Sequence, residues 1–130
     1  MKKFFYPVFL LFFYFPLNAQ YYYRDILLTN QSTGQFNLYK NAGIKKITIE
    51  SFDSRDPQVP AITATQKLDN AYRQMVSNTN SIIGGSSELS VSYAANGRPM
   101  VSTDTTEGFR SVTRYSYDST NRLISLQNTS

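Results

Sequence analysis

The sequence predicts an all-β protein, an antiparallel meander of β-hairpins with or without one short helix packed on the sheet. Three observations carry this. Past residue 20, Gly, Asn and Asp recur at short intervals and separate segments rich in Val, Ile, Thr, Tyr and Ser, the pattern of strands joined by tight turns. A Tyr followed four residues later by Gly or Asn occurs at Tyr39, Tyr93 and Tyr117, the spacing of a type I turn closed by a residue at positive φ. The 130 residues contain no Cys and no His, so neither disulfides nor zinc can staple the chain, and stability has to come from burial and backbone pairing.

The first stretch, MKKFFYPVFLLFFYFPLNAQ, begins with Lys2 and Lys3, continues as an apolar run from Phe4 to Leu17 and ends on the small Ala19. That is the three-part layout of a secretory signal peptide, residues 1–19, with cleavage expected after Ala19. The apolar run is shorter than the roughly 20 residues a helix needs to cross a bilayer, and Pro7 and Pro16 interrupt it. No membrane span is expected once the signal is removed. The expected address is the periplasm, the cell surface or the medium of a Gram-negative bacterium. Residues 20–130 then form one β-meander repeat domain, either whole or as the N-terminal part of a longer protein. Without Lys2 and Lys3 the 13 basic residues become 11 against 9 acidic, and no basic run remains to track a phosphate backbone, so nucleic acid is not an expected partner.

Strands are expected near Tyr23 to Thr29, Gln35 to Tyr39, Ile44 to Phe52, Glu88 to Tyr93, Pro99 to Thr103, Phe109 to Tyr117 and Arg122 to Gln127. The Tyr21 to Tyr23 run reads as a frayed start or a first edge strand. In ITIESF the period is two, with Ile47, Ile49 and Ser51 on one face and Thr48, Glu50 and Phe52 on the other. Lys45 and Lys46 suit a solvated edge that discourages sheet-to-sheet pairing. The interval from Asp56 to Ile83 breaks the rhythm. There Leu68, Ala71, Tyr72, Met75 and Val76 fall at helical spacing ahead of Gly84 and Gly85, which favours a helix over Thr65 to Ser77. The alternative is a turn at Asp69 to Tyr72, since Leu68-Asp69 followed by Arg73 repeats the spacing of Tyr117-Asp118 followed by Arg122.

The segments from Tyr39, Tyr93 and Tyr117 align on Tyr and on Gly43, Gly97 and Asn121, and the last two also share Arg98 with Arg122. RYSYDSTNRL resembles the YD repeat of Rhs and teneurin-type proteins, in which Tyr-x-Tyr-Asp is followed by two variable residues, Gly, Arg and Leu. Tyr115, Tyr117, Asp118, Arg122 and Leu123 match that pattern, and Asn121 stands where the glycine would be. The copy at Tyr93 has Ala94 for Asp and Pro99 for Leu, and the copy at Tyr39 matches less. The resemblance implies an extracellular array of β-hairpins that builds shells, binds carbohydrate or mediates contact and carries no chemistry of its own.

The expected function is therefore an exported, non-enzymatic structural or adhesive module that binds polysaccharide or another surface protein. The alternative is a periplasmic carrier whose curved sheet cradles a lipid or lipoprotein chain. No catalytic residue, metal ligand or cofactor site stands out. Asp53 with Asp56, and Asp104 with Glu107, read as turn residues rather than as a cation site or an acid and base pair. GGSS at Gly84 to Ser87 lacks the Gly-Lys-Ser/Thr of a phosphate loop. The best binding residues are Tyr93, Tyr115 and Tyr117, whose rings could stack on a sugar.

Overall fold

A computed structural model describes residues 17–54 and 56–130. In chain order these residues form α1 (Leu17–Asn41), β1 (Lys46–Asp53), β2 (Asp56–Leu68), β3 (Gln74–Ser81), β4 (Gly85–Tyr93), β5 (Pro99–Thr106), β6 (Phe109–Tyr117) and β7 (Leu123–Thr129). The strands make a single seven-stranded sheet in sequence order, each antiparallel to the next. The expected meander with one helix is what forms, but the helix is elsewhere in the chain. Of the expected signal segment, residues 1–16 lie outside the described residues, and Ala19, after which cleavage is expected, falls in the opening turn of α1.

The strands expected at Tyr23 to Thr29 and Gln35 to Tyr39 are parts of α1. Asp25, Thr29, Ser32, Phe36 and Tyr39 recur at alternating steps of four and three, which places them on one side of a helix, and Thr29 and Phe36 are its most buried side chains, at 4% and 1% exposure. Asn30 and Gly34, which read as turn punctuation, sit mid-helix. A mid-helix glycine costs roughly 0.5–1 kcal/mol relative to alanine, and burial of the Phe36 ring outweighs that. The expected turn at Tyr39 to Gly43 is the helix end. Gly43 adopts φ 69°, its amide donates to Lys40 O at 3.2 Å, and the Ile44 amide donates to Tyr39 O at 2.9 Å. These are the paired bonds of a Schellman cap.

The helix expected over Thr65 to Ser77 is instead the end of β2, a turn and the start of β3. Leu68 lies opposite Met75, and Met75 opposite Val91. The apolar residues that mimic a helical period are thus two cross-strand neighbours, Leu68 and Met75, with Tyr72 at the turn between them. Together with Phe36 and Tyr93 these three, Leu68, Met75 and Val91, form the buried cluster, with Tyr39 and Tyr72 packed at its margin.

Three turns at this end of the sheet share one geometry. Asn121 N donates to Asp118 O at 2.9 Å, Gly97 N to Ala94 O at 2.9 Å and Tyr72 N to Asp69 O at 3.2 Å. The last turn residue is left-handed in each, with φ 63°, 81° and 51° at Asn121, Gly97 and Tyr72, and an arginine follows. A register shift beside Tyr93 and another beside Tyr117 mark the bulges that this turn type produces. The repeated unit is therefore anchored at Leu68, Tyr93 and Tyr117, not at Tyr39. Tyr72 tolerates the left-handed backbone because its ring carries Lys45 Nζ 3.2 Å from the centroid, while the same ammonium donates to Asp69 O and Asn70 O.

Two of these turns are tied by carboxylates. Asp118 Oδ1 accepts from the amides of Thr120 and Arg122 and from the Thr120 hydroxyl, and Arg122 Nε donates to Oδ2 at 2.8 Å. The Arg122 amide bond is the largest influence, and the set holds the Asp118 carboxyl well below the usual carboxylate range. At Asp69 desolvation pushes upward, yet the amides of Gln74, Arg73 and Ala71 and the charge of Lys45 bring its carboxyl below the ordinary value. Folded-state pKa values below the unfolded value of about 3.9 mean that the stabilisation is complete above that pH and is lost as acid protonates the folded carboxyls. The urea midpoint is expected to be flat above about pH 5 and to fall below about pH 4. Changing Asp69 and Asp118 together to Asn should flatten that fall.

Candidate functional site: the seam between helix and sheet

Helix α1 rests on one face of the sheet along the stripe that contains Thr29 and Phe36. Phe36 stacks on Tyr93 with ring centroids 3.8 Å apart and planes 13° from parallel. Ser32 Oγ lies 3.2 Å from the Tyr93 hydroxyl. The alternation along the strands turns Val91 and Tyr93 of β4, Ser102 of β5, and Thr113, Tyr115 and Tyr117 of β6 toward this same side.

The helix leaves a cleft on each flank. One, of about 440 Å³, is lined by Asp25, Leu28 and Ser32 from α1 and by Ser102, Tyr115 and Asn128 from the sheet. The other, also about 440 Å³, is lined by Ile26 and Asn30 from the helix and by Arg98, Asp118, Asn121 and Arg122 from two of the turns. A third, wider depression of about 760 Å³ lies at the far end of the sheet, among Thr63, Thr65, Asn78, Asn80, Glu88 and Thr105. It has no aromatic side chain among its lining residues.

The three tyrosines singled out in the sequence share this face but differ in availability. Tyr93 is only 2% exposed, with one ring face against Phe36. Burial pushes its phenol upward against the opposing pull of Ser32. Tyr117 donates its hydroxyl to Pro99 O at 2.8 Å and has the Arg98 guanidinium 5.2 Å from its ring centroid, so it braces two neighbouring turns. Burial pushes the Tyr117 phenol up to about 12, opposed by Arg98. Tyr115 is half-buried, has its hydroxyl 3.3 Å from Ser102 Oγ and lines the first cleft.

Sequence reasoning missed Asp25, Leu28 and Ser32, because it placed them in or beside strands. The steps of four and three from Asp25 to Tyr39 mark Asp25 and Ser32 as one side of a helix, and Leu28, three residues after Asp25 and four before Ser32, lies beside them. Asp104 lies within β5 and accepts from Thr106 Oγ1 at 2.9 Å, while Glu107 sits at φ 50° in the following turn. Asp53 ends β1 and Asp56 opens β2. Among the described residues, no three acidic side chains gather as a metal site would require, and no helix is long and apolar enough to cross a membrane. No protein-family model, curated protein or solved structure matches the chain.

Proposed function

We propose that the chain is an exported, non-enzymatic β-repeat module, structural or adhesive in role, that holds a saccharide in the cleft beside Tyr115. The observation that supports this reading is the composition of that cleft. A half-buried aromatic ring is surrounded by a carboxylate, hydroxyls and an amide, namely Asp25, Ser32, Ser102, Thr113 and Asn128, with Leu28 and Leu126 alongside. A sugar offers a ring of C–H groups to an aromatic face and hydroxyls to polar neighbours, which is the mixture this lining serves. The shared geometry of the three hairpins at Leu68, Tyr93 and Tyr117 supports the YD-repeat reading. Cleavage after Ala19 would leave every α1 contact from Asp25 onward in place.

Electrophoresis in gels containing a panel of polysaccharides tests the reading. At least one polymer should retard the protein, and Tyr115→Ala should weaken that retardation at least tenfold, while Leu38→Ala on the outer side of α1 should not. Unretarded migration in every gel, or full retention of binding by Tyr115→Ala, would sink it. Amino-terminal sequencing of exported protein should begin at Gln20.

A further inference from the structure

We infer that β1 is a self-pairing edge, through which two copies of this chain join their sheets about a twofold axis at Thr48. β1 is an outermost strand, paired only with β2 among the described residues. The Leu68 amide donates to Lys45 O at 2.9 Å, in the same register that sets Lys46 opposite Lys67. Alternation along an antiparallel ladder then turns the amides and carbonyls of Lys45, Ile47 and Ile49 toward β2, and those of Lys46, Thr48 and Glu50 outward. The side chains of Lys46, Thr48 and Glu50 are exposed, and Ile49 is 55% exposed.

A lysine on an outer strand ordinarily guards against pairing. Here the same strand carries Glu50 four residues on, and a second copy related by a twofold axis through Thr48 would set each Lys46 directly opposite Glu50 of the other copy. Ile47 would meet Ile49 of the second copy on the face that carries α1, and Thr48 would meet Thr48. The other twofold registers are worse. An axis at Lys46 or at Glu50 puts like charges together, one at Ile47 sets Lys45 against Ile49, and one at Ile49 runs the pairing into the irregularity between Ser51 and Phe52. Axes between residues would set side chains of one face opposite those of the other.

A second observation points the same way. Within one copy Lys46 stands directly opposite Lys67, an arrangement that costs stability, and neither lysine has an acidic partner among the described residues. Glu50 of the second copy would supply the missing negative charge to this pair. The other outer strand, β7, reads LISLQNT and has no charge pattern that would choose a register. Pairing through β1 alone is isologous and closes at two copies.

The experiment is sedimentation velocity of the protein over a concentration series, with charge variants. Wild type should pass from the mass of one chain to twice that mass as concentration rises. Glu50→Lys should raise the dissociation constant at least tenfold, Lys46→Glu should do the same, and the double exchange should restore dimerisation. Since the chain has no cysteine, Thr48→Cys provides an independent reading. Directly opposed hydrogen-bonded residues have Cα atoms about 5.5 Å apart, within disulfide range, so mild oxidation should cross-link Thr48→Cys to a dimer and leave Lys67→Cys monomeric. A protein that stays monomeric at every concentration and does not cross-link at residue 48, or a dimer indifferent to the charge exchange, would overturn the inference.

Discussion

Phe36→Ala is expected to lower the unfolding free energy by about 3–5 kcal/mol, because it empties the site of the one large side chain that is fully buried among the described residues. Phe36 is the most buried large side chain, at 1% exposure, and its ring fastens α1 to Tyr93 of the sheet. The helix has little to hold it otherwise. Its sequence includes Gly34, Thr29, Thr33, Asn30 and Asn37, residues with modest to poor helix propensity. Leu27, Leu28 and Leu38 are each more than half exposed, so they contribute little burial. Against a total stability of order 5–15 kcal/mol, losing the anchor should release the helix before the sheet melts. Urea unfolding followed by far-ultraviolet circular dichroism and by amide exchange should show α1 amides losing protection first. Leu38→Ala, at 64% exposure, should shift the midpoint by a small fraction of the Phe36→Ala effect. If the two variants unfold alike, the helix is not held by this ring pair. A double-mutant cycle of Phe36→Ala with Tyr93→Ala should give a coupling of about 0.5–1.5 kcal/mol for the stacked aromatics.

Gly97→Ala should also be costly, because two penalties fall on one added methyl group. The backbone there has φ 81°, a left-handed conformation that costs an L-residue roughly 1–2 kcal/mol. The methyl group would also overlap the Asn37 side chain of α1, which packs directly over this glycine. Gly108→Ala separates the two contributions, since Gly108 has φ 84° but open space where the Cβ would go. Urea midpoints should fall for both variants, with the larger fall at Gly97. The difference between them measures the contact with Asn37. Equal falls would mean that the Asn37 amide, the free end of a flexible side chain, turns aside at no cost.

Much of the fold is legible in the sequence alone, and the reason is local. β6 was read residue for residue, and β1, β4, β5 and β7 to within a few residues. Their alternation and turn chemistry are properties of short segments. The turns Ala94 to Gly97 and Asp118 to Asn121 formed as their spacing requires, because a left-handed position favours Gly or Asn wherever it occurs. The Asp69 to Tyr72 turn broke that rule. Tyr72 is held left-handed by Lys45 and the core beside it, contacts that come from the far side of a strand pair. Read in isolation, Leu68 to Val76 fits a helix. The candidate site was legible in part. Tyr93, Tyr115 and Tyr117 do share one face, but which ring stays open to a ligand depends on the helix that lies across them.

The sequence by itself determined that the chain is a meander, with β1, β4, β5, β6 and β7 and the turns Ala94 to Gly97 and Asp118 to Asn121 in place, and that no cysteine or histidine chemistry is present. Only the tertiary structure decided that residues 17–41 are helical, that Phe36 covers Tyr93 while Tyr115 remains beside a cleft, and that the Leu68 and Met75 pair replaces a helix. The physical reason is that turn and strand preferences act over a few residues, whereas a helix of mediocre propensity forms only when a distant surface buries one of its sides.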